Sequence, residues 1–158
     1  AYKKLKEKKP NLKSLCDLKP KDAEFIKSNL QNKEMRRALY VSAEQDRVNQ
    51  AVKAIKKGSI KDLGALILKT HDGLSKLYEV STAELDILVE EAMNMDGVMG
   101  VCMIGTGFGG GVLMFLKKTE VENVIENLYA KYKEKTRRDA DVYIVKPSNG
   151  TRILPIEE

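Results

Sequence analysis

Val98-Met99-Gly100-Val101-Cys102-Met103-Ile104-Gly105-Thr106-Gly107-Phe108-Gly109-Gly110-Gly111-Val112-Leu113-Met114-Phe115-Leu116 is two apolar runs held apart by glycine. Val98 to Ile104 suits a buried strand, and Val112 to Leu116 is a second strand-like run. Five glycines fall within the seven residues 105–111. Each costs chain entropy on folding, so the run implies a tight reversal or a place where another backbone or a phosphate comes close. Adjacent N–H groups in such a loop can form an anion-binding concavity. On spacing alone, a glycine-rich hairpin without a ligand stands beside that reading. Gly105-x-Gly107-x-x-Gly110 matches the dinucleotide fingerprint in letters, but that fingerprint needs a helix directly after the loop, and here a strand follows. No Gly-Lys-Ser/Thr closes the loop, so it is not a Walker A sequence.

Upstream of the hairpin the pattern is helical. Ser81 with Glu84 reads as a capping box ahead of a helix whose core face is Leu85, Leu88, Val89, Ala92 and Met93. Before it, a helix from about Asn32 carries Met35, Leu39, Val48, Val52 and Ile55 mostly on one face, and Gly58 ends it. Ser59 opens its antiparallel partner, with Ile60, Leu63, Ile67, His71, Leu74 and Tyr78 as the apolar stripe. Lys21 to Leu30 suits a short helix, and the first twenty residues read as a helix end, a Pro10-Asn11 turn and a loop. Downstream, Thr119 with Glu122 reads as a second capping box, and Val121, Val124, Ile125, Leu128 and Tyr132 mark one helix face. Asp141 to Lys146 alternates enough for a strand, and Pro147 to Gly150 suits a turn. The fold class is therefore α+β: helices packed on a mainly antiparallel sheet, a ferredoxin-like (split βαβ) arrangement lacking its first strand.

The 158 residues are 42% apolar and 32% charged, an ordinary composition for one domain with a real core. No apolar run approaches the ~20 residues of a membrane-spanning helix, and the basic start has no apolar h-region, so no membrane segment and no secretory signal is expected. The chain begins without methionine and in the manner of a mid-helix, which reads as a cut or processed chain. Cys16 and Cys102 belong to no CxxC or Cys/His cluster and read as reduced, largely buried thiols of a cytoplasmic protein. One histidine and two scattered cysteines cannot close a zinc shell. Much of the net charge of +5 comes from lysines between Lys3 and Lys21; they lack interleaved aromatics and read as a solvated face, so no nucleic-acid partner is expected. His71 reads as a packed structural histidine, Glu79, Glu84 and Asp86 as cap and surface groups, and Met93, Met95, Met99 and Met103 as core filler.

Several stretches resemble one family. Met103-Ile104-Gly105-Thr106-Gly107-Phe108-Gly109-Gly110-Gly111 resembles the third conserved motif of the GHMP kinases, which in galactokinases commonly reads Met-Thr-Gly-Gly-Gly-Phe-Gly-Gly-Cys. Arg36-Arg37-Ala38-Leu39-Tyr40-Val41-Ser42-Ala43-Glu44-Gln45-Asp46-Arg47-Val48 resembles the galactokinase stretch Arg-Arg-Ala-Arg-His-Val-Val-Thr-Glu-Asn-x-Arg-Val. His71-Asp72-Gly73-Leu74 and Tyr78-Glu79-Val80-Ser81-Thr82-Ala83-Glu84-Leu85-Asp86 are similar to its His-x-Ser-Leu and Asp-Tyr-Glu-Val-Ser-x-x-Glu-Leu-Asp blocks. Departures from the pattern are Thr106 for glycine, Gly111 for cysteine, Leu77 for aspartate and Gly73 for serine.

The resemblance implies one GHMP kinase C-terminal domain over residues 1–158, helical to about 80 and α-β-loop-β-α-β beyond, with the N-terminal ATP- and sugar-binding domain absent. It implies that the complete enzyme uses ATP and Mg²⁺ to phosphorylate the 1-hydroxyl of galactose or a related sugar. No catalytic residue and no metal ligand would then lie in this chain, no cofactor would be tightly bound to it, and the isolated chain would be inactive. Gly105, Thr106, Gly107, Phe108, Gly109 and Gly110 would shape the nucleotide side of the cleft. A non-catalytic regulatory relative is the alternative. A missing first strand would also leave a sheet edge open to self-association.

Overall fold

The computed structural model describes residues 1–151. Helix α1 (Tyr2–Lys8) leads through two single 3-10 turns, Leu15–Asp17 and Pro20–Asp22, into α2 (Ala23–Asn29). Both turns are held by carboxylates that accept main-chain N–H groups: Asp17 from Lys13 and Ser14 at 2.7 and 3.0 Å, Asp22 from Lys19 at 2.8 Å. These bonds favour the ionised form and hold both carboxyls below their usual range. The turns close Leu5, Leu12, Leu18, Ile26 and Leu30, with Ala38 of the next helix, into a first apolar cluster.

That helix, α3 (Asn32–Lys56), ends in a Schellman arrangement. Gly58, at φ +67°, donates to the carbonyl of Ile55, and Ser59 reaches back to that of Ala54. Helix α4 (Ile60–Gly73) follows at once and runs into one π-helical turn, Leu74–Tyr78, that Glu79 closes in the left-handed conformation at φ +61°. The expected apolar face of α3 is only half used. Met35 and Leu39 pack on the first cluster, whereas Val48, Val52 and Ile55 stay 46–63% exposed. Ala38, Tyr40, Ser42 and Ala54 are the buried residues of α3 instead, and three of these are small enough to let neighbouring elements close.

Helix α5 (Ala83–Met93) is capped one residue later than the sequence suggests: Thr82 accepts the N–H of Leu85 at 3.4 Å, while Ser81 turns its hydroxyl to Asp86. The second expected capping box is also replaced. Lys118–Glu120 forms a 3-10 turn ahead of α6 (Val121–Thr136), and Thr119 donates to Glu120 rather than capping the helix.

Strands β1 (Val98–Ile104) and β2 (Gly111–Leu116) pair antiparallel, with Val101 opposite Met114 and Met103 opposite Val112 and an irregularity between Val98 and Gly100. Val101, Val112 and Met114 meet Val89, Ala92 and Leu128 in a second apolar cluster. Met93 and Met95 pack against it and Met103 is buried, as gap-filling thioethers do.

Helix α4 lies against β1. A Cβ on Gly64 would sit 1.6 Å from the carbonyl oxygen of Met99, and one on Gly100 would sit 2.8 Å from the Cα of Gly64, so both positions admit only glycine. The Met103 N–H is given to His71 of α4 rather than to a strand. The edge of β1 away from β2 is thus capped by a helix. Among the described residues no strand pairs with the far edge of β2.

The expected strand at Asp141–Lys146 is not formed, and Pro147 to Gly150 closes no hydrogen-bonded turn. Val142, Tyr143, Ile144 and Val145 are 49–79% exposed. In a split βαβ unit the two strands joined by the helix flank a third strand. Among the described residues the sheet has only β1 and β2 and no such third strand for this segment to join. Arg137 ends α6 in the left-handed conformation, and Asp139 turns back to accept from Tyr129 and Lys133. Residues 152–158 of the expected domain lie outside the described residues.

Candidate functional site

Residues 105–110 reverse the chain between β1 and β2. Five of the six are left-handed: Gly105 at φ +82°, Gly107 at +86°, Phe108 at +60°, Gly109 at +127° and Gly110 at +98°. Thr106 is the exception, which is where the sequence departs from glycine. Threonine replaces glycine at the one loop position outside the left-handed region, while Phe108 carries its side chain within it.

The loop is fastened at its tip. The Phe108 N–H donates to the carbonyl of Val80 at 2.7 Å. A Cβ on Gly107 would meet that same oxygen at 2.2 Å and the Val80 Cβ at 2.8 Å. Phe108 itself points outward, 75% exposed. Gly105, Gly109 and Gly111 face open space, with nothing within 4 Å of where a Cβ would be. The backbone between the strands is therefore held rigidly on one side and bare on the other, which leaves room for another main chain or a phosphate to approach.

A hydrogen-bonded cluster lies behind the loop, with His71 buried and the Asp86 side chain 44% exposed. The His71 Nδ1 accepts the Met103 N–H at 3.3 Å, and its Nε2 lies 3.1 Å from Asp86 Oδ1. Asp86 also accepts the hydroxyls of Ser81 at 2.6 Å and Ser75 at 2.8 Å. Glu79 pairs with Arg36 at 2.7 Å, with Arg37 nearby, and this pairing holds its carboxyl below the usual range. The two cysteines are not the buried pair expected: Cys16, in a 3-10 turn at the surface, is exposed, and Cys102 is only half-buried, where burial pushes its thiol up to about 11 and keeps it protonated and unreactive at neutral pH.

The structure explains one departure from the family pattern. A Cβ on Gly73 would lie 2.4 Å from the ring of Tyr40, so the space a serine would use is taken by that ring. Tyr40 stands where the related stretch has histidine, and its ring lies 5.3 Å from that of Tyr78, the two tilted by 48°. The larger residue on α3 and the smaller one on α4 compensate each other.

The chain offers little else of chemical reach. Among the described residues no group of three or more His, Cys, Asp or Glu side chains could hold a metal ion, and no helix is long and apolar enough to cross a membrane. Two hollows of about 270 Å³ lie away from the loop, one among Lys4, Lys27 and Glu34, the other among Ala1, Arg37 and Tyr78. Val80 is the residue that sequence reasoning missed. Its contribution is a carbonyl oxygen, and residue type carries no signal for that.

Residues 51–134 match the family model of the GHMP kinases C terminal. The chain is 34% identical over 145 residues to the galactokinase of Clostridium perfringens, covering 91% of this chain and 38% of that one. It is 36% identical over 151 residues to the galactokinase of Fusobacterium nucleatum, covering 95% and 39%. The crystal structure of Lactococcus lactis galactokinase complexed with galactose superposes with a TM-score of 0.84 at 28% identity, over 89% of this chain and 36% of that one. The chain thus spans less than two fifths of the length of these relatives.

Proposed function

The chain belongs to the C-terminal family of the GHMP kinases, and from that premise we propose that it is one C-terminal domain of a cytoplasmic galactokinase-like sugar kinase. Its glycine loop forms one wall of the nucleotide cleft. The observation that carries this reading is the loop itself: left-handed backbone fastened to Val80 on one side and bare at Gly105, Gly109 and Gly111 on the other. Such a surface accepts a phosphate-bearing ligand at main-chain distance without a side chain in the way. Gly105, Thr106, Gly107, Phe108, Gly109 and Gly110 shape that wall, and none of them performs chemistry.

ATP fits this wall only as a ligand shared with a second domain. Among the described residues no group of three or more His, Cys, Asp or Glu side chains comes together, so the ligands of Mg²⁺ would come from the second domain and from the ATP phosphates. Phosphoryl transfer depends on positioning and on charge stabilisation at the transferred group. The groups for both would come from the remainder of the enzyme. Galactose is the sugar the relatives' names point to.

The test is a coupled ADP-release assay with galactose, ATP and Mg²⁺. The 158-residue chain alone is expected to give no turnover above blank. Co-expressed with the remaining portion of the Fusobacterium nucleatum galactokinase, it is expected to restore turnover, with loop amide signals shifted by nucleotide. Turnover by the chain alone, or a reconstituted enzyme whose loop amides ignore nucleotide, would overturn the reading.

The partner reading is narrowed by the fold. Since α4 caps β1, self-association runs through the far edge of β2, beside the exposed Leu113 and Phe115. Light scattering is expected to show a concentration-dependent mass that Leu113→Lys lowers. A strict monomer at every concentration would remove this contact.

A further inference from the structure

We propose that His71 is a positioning residue for the glycine loop, holding the strand that enters the loop and, through Asp86 and Ser81, the carbonyl that pins its tip. His71 is 4% exposed and both of its ring nitrogens are engaged. An N–H can be accepted only by a bare nitrogen, so the bond from Met103 fixes Nδ1 as the acceptor and leaves the proton on Nε2, facing Asp86 at 3.1 Å. Met103 lies two residues before Gly105. This is the upstream root of the loop.

Asp86 carries the second path. It accepts the Ser81 hydroxyl at 2.6 Å, and Ser81 follows Val80, whose carbonyl takes the Phe108 N–H at 2.7 Å and against which Gly107 closes. Ser75, at the start of the π-helical turn, holds the other carboxylate oxygen at 2.8 Å. One imidazole is therefore linked by short chains of polar contacts to residue 103 and to residue 108, the two points that set where the loop stands. An apolar side chain of similar volume would fill the space. It would also leave the Met103 N–H unpaired in a dry environment, which is costly, and would take from Asp86, whose side chain is 44% exposed, the donor that sets its orientation beside Ser81 and Ser75. A proton-transfer role is closed to His71, since neither nitrogen is free to reach a substrate.

In the kinase reading above, this cluster sets the stance of the cleft wall, and the proposal rests on that reading for its use. The hydrogen-bond arrangement does not depend on it, and neither does the test. Amide hydrogen exchange and imidazole ¹⁵N shifts are measured on the 158-residue chain and on His71→Phe, His71→Asn and His71→Gln. The wild type is expected to show a bare Nδ1 and a protonated Nε2. His71→Phe should speed exchange at Met103 and Phe108 by at least about tenfold relative to Val89 and Leu128. An asparagine oxygen overlays Nδ1 and a glutamine nitrogen overlays Nε2. His71→Asn should therefore recover protection at Met103 alone, and His71→Gln at Phe108 alone.

A proton on Nδ1 would overturn the proposal. So would unchanged exchange at Met103 and Phe108, or a common acceleration that includes Val89 and Leu128 in every variant. If His71→Phe does not fold, the split between the Asn and Gln variants decides, and identical behaviour of the two refutes the positioning role. Failure of the kinase reading would look different: loop amides in the reconstituted enzyme indifferent to nucleotide, with these exchange results intact.

Discussion

Gly105→Ala and Gly107→Ala form a matched pair that isolates one contact. The two glycines have nearly the same backbone conformation, φ +82° and +86°. Placing an L-side chain there costs about 1–2 kcal/mol at either site. The gain from a stiffer unfolded chain is also common to both. They differ in surroundings. The new methyl at 105 meets nothing within 4 Å, whereas at 107 it lands 2.2 Å from the Val80 carbonyl oxygen and 2.8 Å from its Cβ. A backbone oxygen cannot swing aside as a side-chain tip can. Relief would break the Phe108 to Val80 hydrogen bond or displace the turn before α5. Overpacking of this kind costs roughly 1–3 kcal/mol. Gly107→Ala is therefore expected to fall below Gly105→Ala by that difference, a urea midpoint lower by about 1 M at the usual slopes for a small domain. Equilibrium unfolding followed by far-ultraviolet circular dichroism measures it. Equal midpoints for the two variants would refute the claim that Val80 is the anchor of the loop.

Gly73→Ser should destabilise by about 1–3 kcal/mol because the Tyr40 ring occupies the place of its hydroxymethyl group. Adding Tyr40→His should recover most of the loss; additive losses in the double-mutant cycle would show that the two sites do not compensate. Glu91 is 7% exposed and paired with Lys135 and Lys131, whose contacts hold its carboxyl below 4.5. A folded-state value lower than the unfolded one adds stability above the unfolded value and loses it as pH falls through the folded one. Thermal melts between roughly pH 5 and 3 should therefore drop less steeply for Glu91→Gln than for the wild type; parallel curves would count against the pairing.

The hairpin and the helices that flank it are legible in the residues, because apolar runs of strand length on either side of a glycine cluster leave few alternatives. Gly58 is legible for the same kind of reason: only a residue at ease with φ +67° ends α3 there. The half-exposed stripe of α3 is not. Val48, Val52 and Ile55 have the spacing of a buried face, but burial needs a neighbour, and periodicity does not say whether one exists. Asp141–Lys146 makes the same point for strands. Alternation shows that a segment suits a sheet but not which strand it would lie beside, and among the described residues it joins none. At the candidate site, the glycines are visible from spacing while the fastening is not. The Val80 carbonyl is a main-chain atom, and the His71 contacts join residues 71, 81, 86 and 103, which only the folded chain brings together.

The fastening at Val80 and at His71 also bears on which length changes the hairpin can absorb. Adding or removing one residue between Ile104 and Gly111 would slide one strand by a single place, turning Val101 and Met103 toward solvent and Cys102 into the apolar layer beneath the sheet. The same slide would pull Phe108 off its carbonyl or Met103 off its imidazole. Homologous chains should therefore vary in letters across this reversal while keeping its residue count, with insertions and deletions collecting in other connections.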